Sequence, residues 1–154
     1  PTTAQVYKTP LLIITAWINK FYILDLQEPN SFVKWIVDQG HTVFLISWVN
    51  PGKELSEKTF EDYMLQGPVQ AIEVIKKLTK EEQVNCLGYC LGGTLLATTL
   101  AYLAAKKLSY VKSATFLTTL VDFAECGEIS IFIDDKQLTF LEEIMNKEGF
   151  LDGY

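Results

Sequence analysis

Short unbroken apolar runs alternate along the chain with longer stretches in which apolar residues recur every three or four positions. "PLLIITAW" (10–17) is the first run, and its lack of polar alternation predicts a strand buried on both faces. "HTVFLISW" (41–48), "QVNCLGY" (83–89) and "VKSATFLTTLVDF" (111–123) predict three more strands. Helices fall between them. "SFVKWIVDQG" (31–40) has Ser31 as N-cap and Gly40 to end it. "GPVQAIEVIKKLTK" (67–80) has Pro68 in a first helical turn, with Val69, Ile72, Val74, Ile75 and Leu78 at helical spacing. Residues 91–107 are apolar nearly all round, so that helix is expected to be buried. In "IFIDDKQLTFLEEIMNKEG" (131–149), Asp134 or Asp135 serves as a cap, and Leu138, Leu141, Ile144 and Met145 form a stripe. "INKFYILDLQEPN" (18–30) reads as an aromatic-rich loop, and "VNPGKELSEKTFEDY" (49–63) as a polar connection turning at Pro51-Gly52.

Strands alternating with helices over short connections imply parallel pairing and right-handed crossovers, with helices on both faces. The expected fold class is therefore α/β, and a site belongs at the carboxyl ends of the strands. The chain's 154 residues suit one domain with a sizeable core. No internal repeat or low-complexity linker divides it.

Composition narrows the function. Hydrophobic residues make up 49% and charged ones 21%, an ordinary globular balance. The net charge of −6 disfavours nucleic acid as a partner, although a local basic pocket could still hold a CoA-type anion. An odd number of cysteines (Cys86, Cys90 and Cys126) without framework spacing reads as reduced and intracellular. One histidine, His41, makes a His/Cys metal site improbable, and none is expected. The longest apolar run, 91–105, is shorter than a membrane span, so no transmembrane segment is expected.

One motif carries chemistry. Gly88-Tyr89-Cys90-Leu91-Gly92 joins a predicted strand to a predicted helix and matches the Gly-x-nucleophile-x-Gly elbow, with Cys in the usual Ser position. That turn forces its central residue into strained φ/ψ. Gly88 and Gly92, two residues to either side, are expected to pack against each other without Cβ atoms, and Gly93 to let the helix approach the sheet. Cys90 then points out at the strand's carboxyl end and at a helix N-terminus, which favours thiolate. The Leu91 N–H can donate to an oxyanion, and a second donor is expected from the loop after the first strand, at Ala16 or Trp17. The motif alone is weak, because small residues often meet at such turns, and a merely packed cysteine is the bland reading. A P-loop would need Gly-Lys-Ser/Thr and a dinucleotide fingerprint G-x-G-x-x-G, and neither is present.

A cysteine nucleophile for acyl transfer needs a base, usually histidine. His41 opens its strand at the amino edge, roughly 17–20 Å from Cys90 at 3.3 Å per residue, so it reads as structural. Asp122, at the carboxyl end of the fourth predicted strand, reads as a turn or helix cap rather than a triad acid. In this architecture the acid and base follow the nucleophile. The expectation is therefore an incomplete α/β-hydrolase-type sheet with flanking helices: a single partial domain over 1–154, continuing beyond residue 154.

Longer stretches sharpen this. "PLLIITAWINKFYILDLQEPNSFVKWIVDQGHTVFLISWVNP", "GYCLGGTLLATTLAYLAA" and "FLTTLVDF…IFIDD" closely resemble polyhydroxyalkanoate synthases of the class I type. The resemblance runs from Pro10 to the end, and "INKFYILDLQ…GHTVFLISW" separates the family from generic esterases. It implies an α/β-hydrolase fold and a cytoplasmic enzyme at the surface of polyester granules. It implies transfer of the acyl group of (R)-3-hydroxyacyl-CoA onto a growing chain with release of CoA. Acyl-CoA is then a substrate, and no cofactor is implied. The family's nucleophile maps onto Cys90, and its "ILDLQ" aspartate onto Asp25, which helps shape the site and is not the triad acid. The family's triad Asp and His have no counterpart here, and its members work as dimers. A thioesterase or dienelactone-type hydrolase with a cysteine nucleophile shares the elbow and is one alternative. A non-catalytic granule-associated relative is another.

Overall fold

Four parallel strands in the order β2-β1-β3-β4 form the sheet of the computed structural model, which describes residues 3–18, 20–132 and 134–151. Pro1, Thr2, Asn19, Ile133 and 152–154 lie outside the described residues. The strands are β1 (Leu11–Ile14), β2 (Val43–Leu45), β3 (Val84–Tyr89) and β4 (Val111–Leu117). Leu11 is level with both Val43 and Asn85, and Ile14 with Gly88.

The unbroken apolar run of β1 has its reason in the two faces it serves. Leu12 and Ile14 are buried with Ile72 and Ile75 of α3 (Gln70–Thr79) and Leu95 and Leu96 of α4 (Leu91–Ala105). Ile13 points the other way, against Leu87 and against Ile36 of α1 (Phe32–Asp38). Ser31 caps α1 by accepting from the Lys34 N–H at 2.8 Å, and Gly40, at φ +91°, turns the chain out of it. The parallel α/β arrangement and both ends of α1 therefore match the pattern read from the sequence.

Several features differ from that pattern. The strand expected over 41–48 is paired only over Val43–Leu45, and the loop over 18–30 contains 3-10 turns at Phe21–Leu24 and Glu28–Asn30. The polar connection contains a 3-10 turn (Lys53–Leu55) and α2 (Phe60–Met64). Thr59 starts α2 by a reciprocal cap with Asp62. Pro68 consequently lies inside a continuous helical run and not in its first turn. It lacks a backbone N–H and crowds the carbonyl one turn back, and the chain passes it through a wider π turn at Leu65–Val69. β4 stops at Leu117 because Thr118 takes a left-handed φ of 46°. Lastly, α4 is not buried all round. Gly92, Gly93, Leu95, Leu96, Thr99 and Leu103 form its buried face, whereas Ala101, Ala104 and Ala105 are exposed.

The last helix, α5 (Asp135–Glu148), is capped by Asp134, which accepts from the Gln137 N–H at 2.9 Å, and ends at Gly149. Its apolar stripe carries no buried residue. Among the described residues no helix is long and apolar enough to cross a membrane.

Leu95 has no exposure and Leu78, on α3, is 67% exposed. Leu95→Ala should therefore destabilise the chain by about 2–5 kcal/mol in chemical denaturation. Leu78→Ala, with the same loss of helix-forming side chain, should stay within about 0.5 kcal/mol of the parent.

Candidate active site

The site is built where β3 turns into α4. Tyr89 is the last residue of β3 and Leu91 the first of α4, so the chain reverses through Cys90 alone. Cys90 takes φ 55° and ψ −125°, a combination that costs a non-glycine residue about 1–3 kcal/mol. Two hydrogen bonds hold it there. Its N–H donates to the Leu117 carbonyl at 3.0 Å, and its carbonyl accepts from the Gly93 N–H at 2.9 Å. The side chain is half-buried and makes no capping hydrogen bond, so Sγ is left at the opening of α4.

The glycines work as expected, with further partners. A Cβ on Gly88 would lie 2.9 Å from the Gly93 nitrogen and 3.0 Å from the Gly92 carbonyl oxygen. A Cβ on Gly92 would lie 2.7 Å from the carbonyl carbons of Ile14 and Thr15, so Gly92 abuts the end of β1. Gly93 abuts the Thr119 side chain, whose Cγ2 a Cβ would approach to 2.6 Å. Gly88 does approach Gly92, as expected, and Gly92 and Gly93 add contacts to β1 and to Thr119 because the first turn of α4 drops onto β1 and the segment after β4.

Register then defines which groups meet. Since Ile14 is level with Gly88, the residues after Ile14 run alongside Tyr89 and Cys90 at the carboxyl edge. Ala16 is buried there at 1% exposure, and Trp17 packs on Tyr63 with ring centroids 4.8 Å apart. The Trp48 indole N–H donates to the Thr15 carbonyl at 2.8 Å and the Thr15 hydroxyl to the Ile46 carbonyl at 2.9 Å, which fixes this loop to the end of β2. Cys90, Leu91, Ala16 and Trp17 thus share one edge of the sheet. The Leu91 N–H, in the first turn of α4, has no acceptor within its own helix.

The other candidates lie apart from that edge or serve local structure. His41 precedes β2 at the amino edge and stacks on Tyr7 with centroids 4.5 Å apart. Its Nδ1 is buried and has no hydrogen-bond partner among the described residues. Asp122 accepts from the Ala124 N–H at 2.9 Å and closes a turn five residues beyond β4, the capping role expected of it, though not at a strand end. Asp25 is exposed and accepts from the Ser31 hydroxyl. Cys126 lies half-buried in the loop before the turn at Gly127–Phe132, neither in the core nor at a strand end. Cys86 is in the core, and burial pushes its thiol up to about 12.

Sequence reasoning missed the latch over the elbow. The Thr94 hydroxyl donates to the Leu120 carbonyl at 2.7 Å, and Thr119 covers Gly93. "FLTTL" carries β-branched residues that favour a continuing strand, and nothing local announces the left-handed Thr118.

A parallel sheet with helices on both faces, and a strained cysteine between a strand and a helix, is the arrangement of the α/β-hydrolase fold. Solved structures agree on the fold. A carboxylesterase from Nitrososphaera gargenis superposes with a TM-score of 0.57 at 14% identity, over 94% of this chain and 48% of the other. The α/β hydrolase MGS-MChE2 from lagoon sediments of Mar Chica, Morocco, gives 0.52 at 13% identity, over 94% and 60%. The sequence is similar to one group of proteins. Residues 1–36 match the family described as "Poly-beta-hydroxybutyrate polymerase (PhaC) N-terminus". The chain is 53% identical to the "Poly(3-hydroxyalkanoate) polymerase subunit PhaC" of Rhizobium etli, over 99% of this chain and 24% of that protein. It is 53% identical to the "Poly(3-hydroxyalkanoate) polymerase" of Methylorubrum extorquens (99% and 25%) and 44% identical to the subunit PhaC of Cupriavidus necator (92% and 24%). The chain is similar to poly(3-hydroxyalkanoate) polymerases over nearly its whole length and spans about a quarter of the length of these relatives.

The two cysteines of β3 and its turn should separate by reactivity. At pH 8 a thiol with a pKa of about 12 is thiolate in roughly one molecule in 10⁴, so iodoacetamide should leave Cys86 unmodified in the native protein while Cys90 reacts. Cys86 also imposes a pH dependence. The unfolded chain loses this proton near the ordinary value of 9.0 and the folded chain only near 12, so its contribution is full below pH 9 and is lost as pH rises to 12. The parent should lose stability relative to Cys86→Ala by about 1.4 kcal/mol per pH unit across that window, read by denaturation at several pH values.

Proposed function

We propose that this chain carries the nucleophile and oxyanion donors of an acyltransferase that polymerises (R)-3-hydroxyacyl-CoA into polyhydroxyalkanoate. The observation that carries the reading is the left-handed Cys90 at the strand-to-helix turn of a chain 44–53% identical to named polymerases. In this reading Sγ of Cys90, as thiolate, attacks the thioester carbonyl of the acyl-CoA. The Leu91 N–H and a donor at Ala16 or Trp17 receive the oxyanion. The carbon–sulfur bond to CoA then breaks, CoA leaves as its thiol with the proton taken from Cys90, and the acyl group remains on Sγ. The hydroxyl of a second acyl unit attacks in turn, an oxygen ester forms, and the proton returns to Sγ. Thioester exchange is close to thermoneutral, so cysteine holds the acyl group in an activated form. Serine would hold it as an oxygen ester, a poorer donor for the next transfer.

The base that moves these protons belongs, in this proposal, to the part of the relatives' length outside this chain, because His41 stands at the opposite edge of the sheet. The whole enzyme would act as a homodimer at the surface of cytoplasmic polyester granules.

The test uses the full-length protein carrying this segment, with (R)-3-hydroxybutyryl-CoA. CoA release accompanied by insoluble polymer supports the proposal, while CoA release with free 3-hydroxybutyrate assigns a hydrolase instead. Cys90→Ala should lower CoA release at least about 10³-fold with the fold intact, and a variant that kept releasing CoA would remove Cys90 from the nucleophile's role.

A further inference from the structure

Asp25 has a partner that gives it a specific task. The β1–α1 connection, residues 15–31, leaves the sheet beside Cys90 and must return to the start of α1. Its near end is fixed by Thr15, through the Ile46 carbonyl and the Trp48 indole. Its far end is fixed at Ser31, which is 7% exposed. The Ser31 oxygen accepts from the Lys34 N–H at 2.8 Å, and its hydroxyl proton goes to the Asp25 carboxylate. Asp25 and Ser31 also face each other across an isolated antiparallel bridge. Between Asp25 and Ser31 the chain makes only a 3-10 turn, Glu28–Asn30, and before Asp25 another, Phe21–Leu24.

We propose that Asp25 is a positioning residue that acts through the buried hydroxyl of Ser31, closing the loop behind Ala16 and Trp17 without itself touching substrate. Three observations carry this. Asp25 is spent as an acceptor within the loop's own base. Its partner is the hydroxyl of a residue only 7% exposed, which loses its acceptor in the protein once the carboxylate is gone. The segment so closed holds the residues proposed as the second oxyanion donor at one end and α1, which packs on Ile13 of β1, at the other. Without the Asp25–Ser31 bond the loop keeps its ties at Thr15, Trp17 and Lys20 but loses the one at its base, and small misplacements of the donors are costly to the chemical step. The carboxylate's charge is incidental in this role, and what matters is an acceptor at the Ser31 hydroxyl.

The catalytic part of the proposal rests on the acyl-transfer reading above, so the test has two independent readouts on the full-length protein. The first is amide hydrogen exchange over residues 17–34. Asp25→Ala and Ser31→Ala should both speed exchange there, leave the amides of β3 and α4 unchanged, and do no more together than either alone. The second is CoA release from (R)-3-hydroxybutyryl-CoA. Each alanine variant should lower kcat about 10-fold with KM little changed, and the double variant should be no slower than the singles. Asp25→Asn, which keeps an acceptor, and Ser31→Thr, which keeps the hydroxyl, should stay within about threefold of the parent. The proposal is overturned if Asp25→Asn is as slow as Asp25→Ala while Ser31→Ala is unaffected, the result for a group acting directly on substrate. It is equally overturned if Asp25→Ala leaves exchange over 17–34 unchanged. A parent protein that releases no CoA defeats the acyl-transfer reading, and the exchange measurement still decides whether Asp25 and Ser31 act as a unit.

Discussion

The first turn of α4 lies directly on the backbone that leaves β1, with no side chain between them. A Cβ on Gly92 would come within 2.7 Å of the carbonyl carbons of Ile14 and Thr15, and main chain cannot yield there as a flexible side chain could. This approach sets the rest of the site. A helix that starts so close to the neighbouring strand leaves room for a single residue in the turn, and that residue is forced to a positive φ. It also brings the exit of β1 alongside the helix N-terminus, so that a thiol, the first free amide of a helix and the amides of a neighbouring loop share one edge.

The strain at Cys90 is held because its surroundings over-determine it. The cost of about 1–3 kcal/mol is set against burial of Leu95 and Leu96, each worth about 2 kcal/mol, in the helix that follows. The hydrogen bond from the Cys90 amide to the Leu117 carbonyl ties the turn to β4, and Thr118, at φ 46°, turns the next segment back so that Thr119 covers Gly93. Two adjacent strands therefore end in left-handed non-glycine residues at the same edge. The same geometry separates two cysteines only four positions apart. Cys86 lies inside the sheet, where desolvation holds its proton, while Cys90 lies one turn further on, half-buried at a helix N-terminus. Position in the fold, not thiol chemistry, makes one of them inert.

The pattern of apolar residues revealed the parallel sheet because β1 and β3 are covered on both faces and leave no polar alternation to confuse with a surface strand. It revealed the elbow because Gly88, Cys90 and Gly92 answer a local steric demand. It was less informative where tertiary contacts override local preference. Val121 and Phe123 continue an apolar run, yet β4 ends at Leu117 because the chain must cross over Gly93. Pro68 looks like a helix start, yet Thr59 and Asp62 begin the helix earlier and a π turn carries it past the proline. The partners of Gly92 and Gly93 were not legible at all, since Ile14 and Thr119 are distant in sequence. Asp25 and Ser31 were legible separately, one from family likeness and one as a cap, but not as a hydrogen-bonded pair.

The placement of His41 limits how any proton transfer at Cys90 can work. His41 precedes Val43, which is level with Leu11, and Leu11 is level with Asn85. Cys90 therefore lies about seven residues further along the strand direction, or about 23 Å at the rise of a parallel strand. The imidazole is moreover committed to its stack on Tyr7, where the segment before β1 is tied to Gly40 by a 2.8 Å hydrogen bond from the Tyr7 amide. No side-chain rotation closes a gap of that size. A base for Cys90 has to approach over the carboxyl edge of the sheet, from a segment that ends on that side. The backbone amides at this edge need no such addition, because they belong to turns that the packing of α4 on β1 already creates. The surroundings of Cys90 and any base for it are thus physically separable: the first follow from the local chain, and the second is a separate requirement at the carboxyl edge.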